Sequence, residues 1–174
     1  MENFPKNQDD ENHKKFLKSL EESFPAVFVM AQWLHGPNFD ILVWGYDESS
    51  SHATAKRSTD KGDIWRRDRS TGLWRRYEVK RRKYEFTCMK DFPYPTSYVG
   101  SRVTIDNSNP PSVATFVLNH SMTHAGIILT SNKAQWLVTN PQDGRYDEYK
   151  QPTYECPKEF IKFICLSDRP KEVV

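Results

Sequence analysis

From Tyr84 to Leu166 the chain repeats one pattern, a short apolar run followed by a spacer rich in Pro, Asn and Gly. The runs are YEFTCM (84–89), SRVTI (101–105), SVATFVLN (112–119), AGIILT (125–130), AQWLVT (134–139) and EFIKFICL (159–166). FPYP, DNSNPPS and TNPQDG stand between them. Runs so short, so often broken by residues that leave regular backbone, predict strands rather than helices. There is no βα alternation, which disfavours a Rossmann architecture. The fold class expected is therefore α+β, mainly β: an antiparallel sandwich or strongly curved sheet.

The N-terminal part supplies the single helix. Phe16, Leu17, Leu20 and Phe24 recur at helical spacing, so residues 10–23 read as an amphipathic helix packed on the sheet, capped by Asp9 or Asp10 and ended by Pro25. AVFVMAQWL (26–34) then reads as a buried strand paired across His35-Gly36-Pro37-Asn38 with FDILVWGY (39–46). Residues 1–9 are expected to form a flexible tail, 10–168 one β-rich domain, and 169–174 a second tail. Within the domain, 47–62 lacks apolar periodicity and reads as an exposed loop. The hydrophobic fraction is 37%, low for a core, but 23 aromatic residues compensate with large buried area per side chain. No run approaches a membrane span and no secretory signal is legible, so the expectation is a soluble, intracellular protein, nuclear and/or cytoplasmic, with no membrane association. Cys88, Cys156 and Cys165 are odd in number and form no CxxC pair, which argues against a disulfide framework.

The net charge of +2 conceals an asymmetry. Residues 56–83 carry 12 Lys and Arg against four acids, whereas the rest of the chain carries 13 against 19. The band culminates in IWRRDRSTGLWRRYEVKRRK (64–83), nine bases interleaved with two Trp and a Tyr. Asp68-Arg-Ser-Thr-Gly72 is a turn signal, so 63–83 reads as a basic hairpin, with Arg67 facing Leu73, Arg66 facing Trp74 and Trp65 facing Arg75. That register gives each face one indole beside one guanidinium.

Arginine offers a planar fork for phosphate oxygens, and indole and phenol rings offer faces on which unpaired bases stack. A two-stranded ribbon can also enter the DNA major groove. The hairpin therefore predicts nucleic-acid binding, to RNA or DNA, by Trp65, Arg66, Arg67, Arg69, Trp74, Arg75, Arg76, Tyr77, Lys80, Arg81, Arg82 and Lys83. The alternative is an adaptor whose band holds an acidic protein partner. Lys80–Lys83 also has the composition of a basic nuclear import signal.

Catalytic and metal signals are sparser. His120 and His124 are four apart but lack the close Cys pair of a zinc site, so no metal is expected. His52-Ala-Thr54 matches half of a two-histidine phosphodiesterase pattern, while His120-Ser-Met122 departs from its second half. The seven glycines are scattered singly, leaving no phosphate loop and no expected cofactor. His124-Ala-Gly-Ile, followed by Asn140 or Asp143, resembles the His and Asn/Asp half of the papain-like leader proteinases of picornaviruses, from Ser112 onward. Those enzymes need a cysteine at a helix start upstream of the His. Here the first cysteine, Cys88, falls in an apparent strand and no Asn-Cys-Trp element occurs. The resemblance implies an enzyme or pseudoenzyme centred on His124; the chain as a whole reads more readily as a non-enzymatic binder.

Overall fold

The computed structural model describes residues 6–44, 62–140 and 152–168. Residues 1–5 of the expected tail at 1–9, the expected tail at 169–174, most of the expected loop at 47–62 (with His52 and Thr54) and Asp143 lie outside the described residues, while 6–9 are helical. The protein is mainly β, with one long N-terminal helix against a six-stranded sheet and a smaller sheet behind it.

The helix, α1 (Lys6–Leu34), runs straight through the expected boundary, so 26–34 is helical and not a strand. The reason is visible in what it buries. Ala26, Val27, Met30, Ala31, Trp33 and Leu34 are buried, whereas Phe28 and Gln32 are exposed, a spacing that only a 3.6-residue period puts on one face. Burying Met30 and Leu34 contributes roughly 1.5–3 kcal/mol each. That gain outweighs the bond lost at Pro25, which has no N–H to donate within the helix. Nearby, Arg81 donates from Nη1 to the Glu22 carbonyl at 3.4 Å.

Strand β1 (Phe39–Val43) consequently pairs with β2 (Ile64–Asp68) instead of with 26–34. Next come β3 (Trp74–Arg81), β4 (Thr96–Ser101) and the short helix α2 (Arg102–Asn107). They are followed by β5 (Ala114–Leu118), β6 (His124–Leu129) and β7 (Leu137–Thr139), then β8 (Thr153–Pro157) and β9 (Lys162–Cys165). The large sheet has the order β1-β2-β3-β5-β6-β9 and is antiparallel except for β3 and β5. Parallel neighbours need a crossover. Here it carries β4 and α2 across the face opposite α1, where β4 joins β8 and β7 in an antiparallel three-stranded sheet.

Two cores result. Ile64, Tyr77, Val79, Ala114, Phe116, Leu118 and Ala125 face α1. Val117 and Ile128 point the other way and meet Phe86, Phe92, Val99, Trp136, Tyr154 and Cys156 from the crossover and the second sheet. The second sheet therefore backs the β5 and β6 part of the large sheet. Among the described residues, Leu42 and Trp74 remain exposed at its β1–β3 end.

Three further expectations are corrected. YEFTCM (84–89) forms no strand, because the Asp91 carboxylate takes the backbone N–H groups of Thr87 and Cys88 that a ladder would use. SRVTI (101–105) opens α2: Ser101 Oγ accepts from Thr104 N at 3.1 Å, a helix N-cap. In AQWLVT and EFIKFICL, a 3₁₀ turn precedes each short strand.

Candidate nucleic-acid interface

The hairpin turn forms as its composition dictates. Asp68 Oδ1 accepts from Ser70 N at 2.8 Å, Ser70 Oγ at 2.6 Å and Thr71 N at 3.2 Å. Those bonds, the Ser70 hydroxyl first, hold its carboxyl below the ordinary carboxylate range. Gly72 supplies the positive φ of 72° that closes the turn.

The register differs by one residue from expectation: Arg67 pairs with Trp74, Arg66 with Arg75 and Trp65 with Arg76. A slip of one residue exchanges the faces of one strand relative to the other. Both indoles therefore stand on a single face, with Arg67 and Arg76, and the opposite face carries Arg66, Arg75 and Tyr77. Trp65 and Trp74 meet edge to face with centroids 6.4 Å apart, and Arg67 lies 5.6 Å from the Trp74 ring centre. Because β1 pairs with β2, Leu42 sits across from Trp65, and Trp44 N continues the ladder to the Asp63 carbonyl at 3.4 Å. Strand alternation thus adds Leu42 and Trp44 to the indole face. Trp44 is 40% exposed and Trp74 39%.

Asp40, also on this face, orders its cations. Arg67 Nη2 lies 2.9 Å from one carboxylate oxygen and Arg69 Nε 2.7 Å from the other. Arg69 Nη1 also donates to the Pro37 carbonyl at 3.0 Å. The Arg69 hydrogen bond is the main reason the Asp40 carboxyl lies below its ordinary range.

The twelve residues singled out in the sequence divide by environment. Arg67, Arg69, Trp74 and Lys83 are exposed, and Trp65, Arg75 and Lys80 are half-buried. Arg75 faces the α1 side, away from the indoles. Tyr77 is 2% exposed with its ring 5.7 Å from Phe116, so it belongs to the core and cannot stack on a ligand. Arg76 is equally buried and gives Nε and Nη2 to Glu78 Oε1 at 3.1 and 2.7 Å. Arg66 is buried with its guanidinium 3.7 Å over the Phe39 ring, and burial pulls its pKa below the ordinary arginine value. Arg81 donates twice to the His120 carbonyl, and Arg82 donates from Nη2 to the Tyr98 carbonyl at 2.7 Å. Arg66, Arg76, Arg81 and Arg82 are thus engaged within the protein, and Arg67, Arg69 and Lys83 are the exposed cations among the described residues of the hairpin. The hairpin also lies inside a sheet, flanked by β1 and β5, so it is not the free two-stranded ribbon that a major groove admits.

The histidine segment is a tight β5–β6 connection. Asn119 is buried; its amide donates to Glu85 Oε2, the Phe86 carbonyl and Thr123 Oγ1, and its Oδ1 accepts from Thr123 N and His124 N. His124 pairs in register with Cys165, yet its Nδ1 is 3.0 Å from Thr123 Oγ1, and the Cys165 thiol is 3.1 Å from Ser167 Oγ. No group of three or more potential metal ligands occurs among the described residues. None of their helices is long and apolar enough to cross a membrane.

The class these features define is a helix-backed mixed sheet that exposes an aromatic and cationic face at one end. Comparisons with family models, curated proteins and solved structures find no match to the chain.

Proposed function

We propose that the protein binds single-stranded nucleic acid, RNA or DNA, on the β1–β3 face that carries Trp44, Trp65 and Trp74. The observation that carries this reading is the Trp65–Trp74 pair with Arg67 beside it, on a face where both Trp44 and Trp74 remain exposed. Indole faces receive unpaired bases, and Arg67 and Arg69, ordered by Asp40, meet the phosphates. Lys83 extends the cationic track past the end of β3. A duplex hides its base faces and gains only the phosphate contacts, so single strands bind more tightly.

Trp74→Ala removes one stacking surface without opening the core. A stacked base contributes roughly 1–3 kcal/mol, so affinity for a short single strand falls roughly 5- to 150-fold. Arg67→Ala weakens binding as well, whereas Arg75→Ala, on the α1 side, leaves it unchanged. Equal affinity for Trp74→Ala and wild type, both folded by circular dichroism, sinks the proposal. Salt-sensitive binding to an acidic protein with none to oligonucleotides would transfer the same face to the adaptor reading.

A further inference from the structure

Beneath the crossover lies a cavity of about 370 Å³ with no part in the interface just described. Its floor is the same face of β3, further along: Arg76, Glu78 and Lys80, with Thr115 of β5 beside them. Its walls come from the crossover and from the turn before β7, through Tyr98, Ser101, Ile105, Ser112, Thr130, Lys133 and Trp136. That volume falls in the range of small-molecule sites, roughly 300–1,000 Å³.

The lining has a definite chemistry. Three cations, Arg76, Lys80 and Lys133, line it with a single carboxylate, Glu78, and with Asp106 paired to Lys133 one positive charge is left in excess. Arg76 is held by Glu78, and Lys133 by Asp106 at 2.5 Å. Lys80 forms no ion pair among the described residues; its ammonium lies 5.5 Å from the centre of the Tyr98 ring. Thr115 is buried and Thr130 half-buried, and both line the cavity. Val99, Ile105, Pro111 and Trp136 supply apolar wall on the other side. A compact cation, two hydroxyls and an apolar wall suit a tetrahedral dianion joined to a flat or apolar body. Lysine is a common point-charge partner of phosphate, and a phosphomonoester carries nearly two negative charges at neutral pH.

From this cavity, its charge excess and its uncommitted Lys80, we infer that the crossover pocket binds a small phosphomonoester of nucleoside monophosphate size. Lys80 is its principal phosphate partner, and the Thr115 and Thr130 hydroxyls are donors to the remaining oxygens. The inference stands apart from the indole face and does not need it.

The test is calorimetric titration of the full chain with a nucleoside monophosphate, the matching nucleoside and inorganic phosphate. The nucleotide is expected to bind, and the nucleoside to bind at least tenfold more weakly. Lys80→Met is expected to weaken nucleotide binding at least tenfold while keeping the wild-type melting temperature. Thr115→Val, close in shape, weakens it severalfold and covers the case of a poorly folded Lys80 variant. Trp74→Ala leaves nucleotide affinity unchanged, which separates the pocket from the indole face. Nucleotide affinity lost in Trp74→Ala but kept in Lys80→Met overturns the inference, as does the absence of nucleotide binding at millimolar concentration.

Discussion

Glu78→Gln tests whether the buried end of the basic band is a strut or a ligand surface. Arg76 is 2% exposed, and two of its nitrogens converge on Glu78 Oε1 at 2.7 and 3.1 Å. Removing one partner of a buried ion pair typically costs about 3–5 kcal/mol, because the remaining charge loses part of its compensation. Glutamine still offers one acceptor oxygen, and the Glu78 side chain, 22% exposed, keeps some contact with water. Both reduce the figure, to about 2 kcal/mol. For a chain of this length about 2–4 °C of melting temperature corresponds to each kcal/mol, so the variant should melt roughly 4–8 °C below wild type. Adding Arg76→Met removes the cation left beside the neutral side chain and should restore part of that loss. The assay is thermal and urea unfolding of wild type and both variants, with oligonucleotide affinity measured at a temperature where all are folded. An unchanged melting temperature together with a fall in affinity for Glu78→Gln would refute the reasoning, since it would place the pair in the interface.

Other outcomes follow from local geometry. Pro25→Ala restores a helix hydrogen bond inside α1 and should stabilise the protein by about 2 kcal/mol, read as a raised urea midpoint; a lowered midpoint contradicts a continuous helix through that position. Bonds to Asp91 from the backbone N–H of Cys88 and from the Thr87 hydroxyl and N–H hold its carboxyl well below the usual range. Their contribution is complete above the unfolded value near about pH 4 and is lost as pH falls through the lower folded value. Asp91→Asn should accordingly melt below wild type at neutral pH, with the gap closing in strong acid; a gap independent of pH contradicts this. Cys88 is exposed, whereas Cys156 is fully buried and its thiol is pushed up to about 11 by burial. A thiol reagent should therefore label Cys88 quickly and reach Cys156 only on unfolding, as mass spectrometry of the labelled peptides will show.

What could be read from the sequence was whatever its local chemistry dictates. The turn at Asp68–Gly72 needs an acceptor side chain and a residue tolerant of positive φ, and both are legible. The strands at 112–119 and 125–130 carry unbroken β-prone apolar runs, and the structure keeps their centres as β5 and β6. The run at 26–34 is apolar on almost every residue, so its helical period emerges only from which side chains α1 buries. TYECP (153–157), flanked by Pro152 and closed by Pro157, carries little strand signal, and it becomes β8 through partners on both sides. The hairpin register was illegible for a related reason. Each strand carries one indole followed by two arginines, so either register leaves charge on both faces, and the choice falls to the contacts of Tyr77 and Ile64 with the core under α1. That choice also decided the site. Trp44 and Leu42 join the indole face only because β1 pairs with β2, a contact that the expected pairing with 26–34 concealed. Similarly, Lys80 lay in the basic run by sequence, but its neighbours Tyr98 and Thr115 come from the crossover and from β5.

The most direct test of the central claim is fluorescence anisotropy with a labelled single strand of about ten nucleotides and its duplex, titrated across salt. Three exposed cations among the described residues of the band, Arg67, Arg69 and Lys83, set the expected slope. At about 0.7 counterions released per single-strand phosphate contact, log affinity should fall against log salt with a slope of about −2 or steeper. That is about a 20-fold loss between roughly 50 and 200 mM salt, with the single strand tighter than the duplex throughout. An absence of binding at the lowest salt, or a duplex bound as tightly as the single strand, would contradict the account.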